Sequence, residues 1–376
     1  MVIAGEASGD LHGGHVIKEL CALLPELEVF GTGGAHLAEA GVELFFRAED
    51  MAVIGFKEVA KRYSYYKGIF NQMVSKLDEL RPDAVFLVDY AGFNLRFAAE
   101  AKKRSIPVIF YVAPQVWAWK KGRIKTMRKV IDHLIVLFPF EVEFFAQHGM
   151  KAHCFGHPLL DIVKPTVSTQ SFRETHQLDM QRKLVALLPG SRENEIQKHL
   201  PLLVQMSALL SRLCPGVQFV YPLAPTVSMA VVEPLLECSE VPIYLVEAET
   251  YNCVASSDVA VVASGTATLE TAILETPLLI FYKVAATSYL IGKYLLGIKT
   301  IGLPNIVLEQ EAVPEMVQNK TDPKEMAYLV ADLLKDPVSY QAQKDFLRQI
   351  RGKLGSTGAY HKTAEFMAQL LTNGSL

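Results

Sequence analysis

The chain has 376 residues, half of them hydrophobic, enough for two cored domains of roughly 150 residues each. A formal net charge of −3 excludes a global attraction to nucleic acid, so any basic function has to be local. Five scattered cysteines (Cys21, Cys154, Cys214, Cys238, Cys253) form no C-x-x-C pair, which speaks against a zinc knuckle or a disulfide framework and fits a reducing cytosol.

The opening stretch MVIAGEASGD lacks the basic flank and long apolar core of a signal peptide. No uninterrupted apolar run reaches the ~18 residues of a spanning helix, so a soluble protein or one lying on a membrane surface is expected. Strand-like runs follow at 2–4, 28–33, 84–89, 108–114, 133–138 and 152–157, with helix-like stretches such as 11–24, 66–80 and 94–104 between them. Continuous apolar runs are what parallel strands covered on both faces require. The alternation predicts a doubly wound α/β domain over 1–162. A polar stretch at 161–182 reads as a linker, and the rhythm restarts at 183–191, 217–224, 241–247, 259–265 and 278–283. A second Rossmann-like domain is therefore expected over 163–345, with a helical segment, 346–376, crossing back onto the first half or a partner subunit.

Ligands of open parallel sheets bind beyond the carboxyl ends of the strands, so the loops there carry the functional reading. The first, GEASGDLHGG at 5–14, is glycine-rich but is not G-x-G-x-x-G, which disfavours a dinucleotide. Its acids, Glu6 and Asp10, would repel phosphate and suit a sugar ring; the plainer alternative has Asp10 capping the first helix. Asp89 ends an apolar strand where a carboxylate can take a proton from an attacking hydroxyl, unless it only bonds nearby loop amides.

The loop GSRENE at 190–195 leaves a strand and starts a helix. Gly190 and Ser191 let the backbone approach an anion, the helix N-terminus supplies N–H groups, and Arg192 adds a fork suited to phosphate. Alternatively Ser191 is an N-cap and Glu195 closes the turn. ASGTATLETA at 263–272 repeats the pattern: Ser264, Gly265 and Thr266 can face a phosphate, and Glu270 can accept from ribose hydroxyls. No D-x-D, H-x-x-x-H or Cys/His cluster occurs, so neither a metal nor a cofactor is expected. His12, His15 and His157 are left as proton shuttles or structural loop residues. On a helix, Phe56, Val59, Tyr63, Tyr66 and Phe70 form an aromatic stripe flanked by Lys57, Lys61, Arg62 and Lys67. That composition suits a bilayer interface, or a core-facing helix whose lysines reach out to water. Trp117 and Trp119 form a second such cluster.

GEASGD, VIGFKEV, VDYAGFN, YVAPQVWAWKKGR, FPFEVEFF, FGHPLLD, LLPGSR, ASGTATLE and GLPNIVL stand in the order found in lipid-A-disaccharide synthases, which the chain resembles from about residue 2 to 310 and more weakly beyond. The resemblance implies a GT-B fold, two Rossmann-like domains facing across a cleft, and an inverting glycosyltransferase. That enzyme joins UDP-2,3-diacylglucosamine to 2,3-diacylglucosamine 1-phosphate through a β-1,6 bond and releases UDP. It also implies a peripheral enzyme on the cytoplasmic face of the Gram-negative inner membrane, and a homodimer exchanging C-terminal segments. On this reading Asp89 is the base, Glu6 and Asp10 orient sugar hydroxyls, and Asn305 closes over the nucleotide. Gly190, Ser191, Arg192, Glu195, Ser264, Gly265, Thr266 and Glu270 hold UDP, and the stripe with Trp117 receives acyl chains or the membrane. Two departures stand out. The chain starts almost directly on VIAGE, a few residues shorter than the family's pattern, so a short first strand is expected. Where members of the family often have a second acid in PDFN, this chain has Ala91-Gly92-Phe93-Asn94, which leaves Asp89 as the candidate acid of that loop. An epimerase of UDP-sugars on the same frame, a nicotinamide-dependent oxidoreductase and a non-catalytic lipid-binding protein are the rival expectations.

Overall fold

A computed structural model describes residues 1–48, 56–114, 116, 122–283 and 300–373, with the side chains of 56–66 and 319 outside that description. The chain forms two compact units: Met1–Asp161 together with Leu354–Leu376, and Ile162–Lys353.

The first unit carries seven strands: β1 (Val2–Ala4), β2 (Phe30–Gly33), β3 (Glu43–Arg47), β4 (Val85–Val88), β5 (Val108–Tyr111), β6 (His133–Val136) and β7 (Ala152–Cys154). Their order is β3-β2-β1-β4-β5-β6-β7, every neighbouring pair parallel. Val2, Ile3, Val85, Leu87, Val108 and Phe110 are fully buried or nearly so. Such side chains each contribute roughly 1.5–3 kcal/mol by leaving water. Gly31 pairs with Val2 across the first ladder, and a Cβ there would run into the Val2 carbonyl, so only glycine fits. Helix Phe56–Leu80 turns Ile69, Met73 and Leu77, spaced by four, into the same core.

The chain returns to this unit at Leu354. Helix Ala359–Thr372 packs along helix Ala7–Leu23. Asp161 caps its start by accepting from the N–H groups of Gly358 (2.6 Å) and Ala359 (2.9 Å). His12 Nδ1 lies 2.8 Å from the Tyr360 hydroxyl, and the His157 N–H donates to the Leu354 carbonyl at 2.9 Å.

The second unit has six parallel strands: β8 (Leu184–Leu188), β9 (Gln218–Leu223), β10 (Ile243–Glu247), β11 (Val259–Ala263), β12 (Leu278–Tyr282) and β13 (Glu315–Val317), in the order β10-β9-β8-β11-β12-β13. The expected linker at 161–182 is largely part of this unit. Phe172 is buried, and the Arg173 guanidinium donates to the carbonyls of Asp179, Arg182 and Ser256 and to Asp258. Helix Pro337–Lys353 also belongs here, because Phe346, Leu347 and Ile350 are buried in it and Gln343 accepts from the Leu278 N–H. The return therefore begins at 354, not 346. No helix among the described residues is long and apolar enough to cross a membrane.

Both sheets share one topology. In each, the chain runs outward from a central strand, then jumps back to that strand's other side, at β1/β4 in one unit and β8/β11 in the other. Ligand-binding crevices of open α/β sheets lie at such switch points, beyond the carboxyl ends of the strands.

Candidate active site

At the first switch point, β1 exits through Gly5-Glu6 and β4 through Asp89-Tyr90. Asp89 (φ 48°) and Tyr90 (φ 45°) both lie in the left-handed region, at roughly 1–2 kcal/mol for each non-glycine residue. The bend is braced from several sides. The Asp89 N–H donates to the Tyr111 carbonyl at 2.9 Å. The Asn94 side-chain amide donates to the carbonyls of Asp89 (2.8 Å) and Val88 (3.2 Å). The Tyr90 ring stacks on Phe93 and covers Gly5, where any Cβ would run into it. Burial pushes the Asp89 carboxyl up from 3.8 to about 6; the negative charge of Glu6 adds to this, and the Tyr90 N–H partly offsets it. Glu6 is exposed at the N-cap of helix Ala7–Leu23, and its carboxylate makes no capping bond. Two carboxylates from the exits of adjacent strands thus face the same place.

Asp10 has a different duty from the sugar contact expected of it. It is buried, and its carboxylate accepts from the N–H groups of Gly34 (2.6 Å), Leu37 (3.1 Å) and His36 (3.0 Å), capping helix Ala35–Glu39. His12 and His157 brace the C-terminal return, and burial holds them down to about 4 and about 3, so neither gains a proton near neutral pH. Of the aromatic stripe, Phe56, Val59, Tyr63, Tyr66 and Trp117 lie outside the described side chains. Phe70 is half-buried and sits edge-on to Phe93 and Phe97, a core-facing position.

At the second switch point, β8 exits through Gly190 (φ 124°), Ser191 and Arg192, which caps the 21-residue helix Glu193–Leu213. Ser191 and Arg192 are exposed. Glu195 closes the turn: its carboxylate accepts from the Ser191 N–H (3.3 Å), the Arg192 guanidinium (3.1 Å) and the Tyr282 hydroxyl (3.2 Å). The Arg192 side chain is 74% exposed, so this ion pair contributes only a few tenths of a kcal/mol, about 0.3–0.5, and yields easily to a better anion. Thr226, from the loop after β9, donates to the Ser191 carbonyl at 2.7 Å.

His199 locks this turn and carries no motif in the sequence. It is fully buried; Nδ1 lies 2.7 Å from the Pro189 carbonyl, and Nε2 lies 3.2 Å from the Lys283 N–H. The tautomer with its proton on Nδ1 satisfies both bonds and ties the exit of β8 to that of β12. Its signal was a polar residue on the apolar face formed by Ile196, Leu200 and Leu203.

β11 exits through Ser264-Gly265 into helix Thr266–Ile273. Gly265 and Thr266 are exposed, no side chain caps the helix, and the Cβ position of Gly265 opens onto free space. The Ser264 hydroxyl donates to the Ile301 carbonyl at 2.8 Å, which leaves only its lone pairs. Glu270 accepts from the Tyr251 hydroxyl at 3.0 Å with one oxygen, and burial raises its carboxyl. Asn305 departs from the nucleotide contact expected of it. It is buried, donates to Val313 and Glu315, and accepts from the Ala312 and Val313 N–H groups. Glu315 in turn accepts from the N–H groups of Ile301 and Gly302, so Asn305 braces the loop that Ser264 touches.

Two doubly wound parallel units with ligand loops at both switch points define a GT-B fold. The same fold occurs in UDP-GlcNAc 2-epimerase from Neisseria meningitidis bound to UDP-GlcNAc (TM-score 0.61, 13% identity, 92% of this chain and 100% of that one). It occurs also in Anabaena HepE in complex with UDP and glucose (TM-score 0.56, 12% identity, 100% of this chain and 98% of that one). At such identities the likeness establishes the fold alone and gives the epimerase alternative no further support. Sequence is more specific: the family described as lipid-A-disaccharide synthetase matches residues 1–369. The lipid-A-disaccharide synthase of Syntrophus aciditrophicus (strain SB) is 40% identical over 373 residues, covering 99% of this chain and 97% of that protein. That of Myxococcus xanthus (strain DK1622) is 37% identical over 374 residues, covering 100% and 98%. The chain belongs to the lipid-A-disaccharide synthase family, a family of glycosyltransferases acting on a UDP-sugar donor and a lipid acceptor.

Proposed function

We propose that the chain transfers 2,3-diacylglucosamine from UDP-2,3-diacylglucosamine to the 6-hydroxyl of 2,3-diacylglucosamine 1-phosphate. Asp89 takes the hydroxyl proton as the oxygen attacks the anomeric carbon. The bond from that carbon to UDP breaks in the same displacement, so the centre inverts and the β-1,6 disaccharide 1-phosphate and UDP result. The observation that carries this is the Asp89 carboxyl at the first switch point, with a pKa of about 6, ionised at neutral pH yet more basic than an ordinary aspartate. Glu6 orients acceptor hydroxyls. Asp10 is assigned to building the neighbouring loop.

UDP binds the second unit. Arg192 and the amides beside Gly190 and Ser191 take the diphosphate, the open turn at Gly265-Thr266 completes its cradle, and the free oxygen of Glu270 accepts from ribose. Glu195, Ser264 and Asn305 hold these loops in place. Electrostatic stabilisation of the departing UDP falls to Arg192 and the helix start. Both substrates carry acyl tails, so the chain works at the cytoplasmic face of the inner membrane of a Gram-negative cell, docked through Phe56, Val59, Tyr63 and Tyr66 of the stripe, Phe70 being turned to the core, and through the Trp117 region. A homodimer exchanging residues 354–376 keeps the contacts of Asp161 and His12 with that segment while drawing it from a partner. Mass spectrometry of the two acylated substrates mixed with the protein tests the reaction: a disaccharide 1-phosphate formed with UDP supports it. UDP release without the lipid acceptor favours the epimerase reading.

A further inference from the structure

We infer that Asn94 is the positioning residue that holds the Asp89-Tyr90 bend and so aims the Asp89 carboxyl out of the strand exit. The inference rests on the reading of Asp89 as the base. Asn94 is fully buried at the first turn of helix Ala91–Lys103. Its amide nitrogen donates to Asp89 O at 2.8 Å and Val88 O at 3.2 Å, and Ile3 O lies 3.5 Å away, so a single donor group gathers carbonyls from the ends of both switch-point strands. Its own N–H donates to Tyr90 O at 3.0 Å. The side-chain oxygen of Asn94 has no partner. The residue is therefore present for its donors. An aspartate there would set a carboxylate against three carbonyls, and an aliphatic residue would remove the donor that Asp89 O receives.

Two successive left-handed non-glycine residues do not persist without such a hold. With the Asp89 N–H bonded to Tyr111 and its carbonyl bonded to Asn94, the backbone is fixed at both ends. Only the carboxyl is left to face the substrate. A base displaced by about an ångström loses on the order of a hundredfold in rate, so fixing this bend is a catalytic requirement met from outside the reacting atoms.

The test is Asn94→Ala in the full chain, read in two ways. NMR of carboxyl-labelled aspartate, with the Asp89 resonance assigned by Asp89→Asn, follows the titration of Asp89. UDP release as a function of pH and acceptor concentration gives kcat and KM. Relaxation of the bend toward water brings the Asp89 titration down from about 6 toward the ordinary carboxylate range. With it, kcat falls at least tenfold, while UDP affinity measured by calorimetry stays unchanged. An unmoved Asp89 titration in folded Asn94→Ala overturns the inference whatever the rate does. A moved titration with undiminished kcat upholds the hold of Asn94 on the bend and refutes Asp89 as the base. If the alanine variant does not fold, Asn94→Ser, which keeps one short donor and cannot span both carbonyls, is read by the same two measurements with the same outcomes.

Discussion

Replacing Asp89 with Asn should stabilise the fold and abolish turnover, and the size of the stabilisation follows from the structure. Burial and the charge of Glu6 raise the folded-state carboxyl to about 6 from an ordinary 3.8. The folded state therefore binds this proton more tightly than the unfolded state does. The resulting stability is fully present below pH 3.8 and is lost as pH rises through about 6. At ~1.4 kcal/mol per pH unit, the interval amounts to about 3 kcal/mol of destabilisation at pH 8. Asparagine removes the charge, keeps an oxygen to accept from the Tyr90 N–H, and recovers that amount. The variant and the wild type should unfold alike near pH 4. At pH 8 the variant should be more stable by about 3 kcal/mol, or roughly 6–12 °C for a unit of this size. Turnover should fall by ~10²–10⁴, the usual loss on removing a general base. Thermal unfolding at the two pH values, with UDP release measured on the same samples, makes the comparison. Equal stabilisation at pH 4 and pH 8 refutes the electrostatic argument, and a variant retaining more than a tenth of the rate refutes the base.

The wild-type enzyme should show an acid limb in kcat/KM near pH 6, activity falling as pH drops, because only the ionised Asp89 accepts the proton; a limb below pH 4.5 would place the base elsewhere. Arg192→Ala should weaken UDP binding about 10–100-fold by calorimetry, the worth of a charge-assisted contact of ~1.5–3 kcal/mol, with the melting temperature nearly unchanged because the side chain is exposed. His199→Leu should leave the Pro189 carbonyl and the Lys283 N–H unpaired, lowering stability by roughly 1–3 kcal/mol in urea unfolding and weakening UDP as the turn loosens. Gly5→Ala should lower kcat by driving Tyr90 off its seat; an unchanged rate would show that the bend tolerates the shift.

The parallel sheets were legible because strands covered on both faces are written as continuous apolar runs, as VFLV and LVALL are. Two of the four edge strands, β3 and β13, escaped for the opposite reason. β3, ELFFR, mixes exposed charge with half-buried rings, and β13 is three residues long. The stretch at 161–182 reads as a linker because it is polar, yet one buried arginine satisfies four groups and makes it structural. The loops at the strand exits were legible because their chemistry is local: Gly190, Ser191 and Arg192 are consecutive, and Asp89 ends its strand. Internal bracing was not. The partners of Asp10 lie 24–27 residues away and those of Ser264 lie 37 away, so nothing in the motif separates a ligand contact from a cap. Asn94 and His199 were missed because their partners are mainly backbone groups, which every sequence supplies.

One topology used twice has acquired opposite electrostatics. At β1/β4 the exits bear Glu6 and Asp89, and the charge of Glu6 adds to burial in raising the cost of ionising Asp89. A diphosphate brought there would meet like charge, whereas a neutral hydroxyl gains an acceptor. At β8/β11 the exits bear Gly190, Ser191, Arg192 and Gly265, with a long helix starting at once and an uncapped short one beside it. A diphosphate there meets N–H groups and a guanidinium; of the two acids in the turn, Glu193 is exposed and Glu195 is already paired with Arg192 and Tyr282. On the proposed roles, the unit with the two carboxylates suits the attacking hydroxyl and the unit with the guanidinium and helix start suits the diphosphate. Exchanging a single residue tests that assignment: Glu6→Gln relieves the repulsion, lowers the Asp89 titration and moves the acid limb of kcat/KM to lower pH, while UDP affinity stays as it was. A limb that does not move in Glu6→Gln would mean that burial alone sets the base.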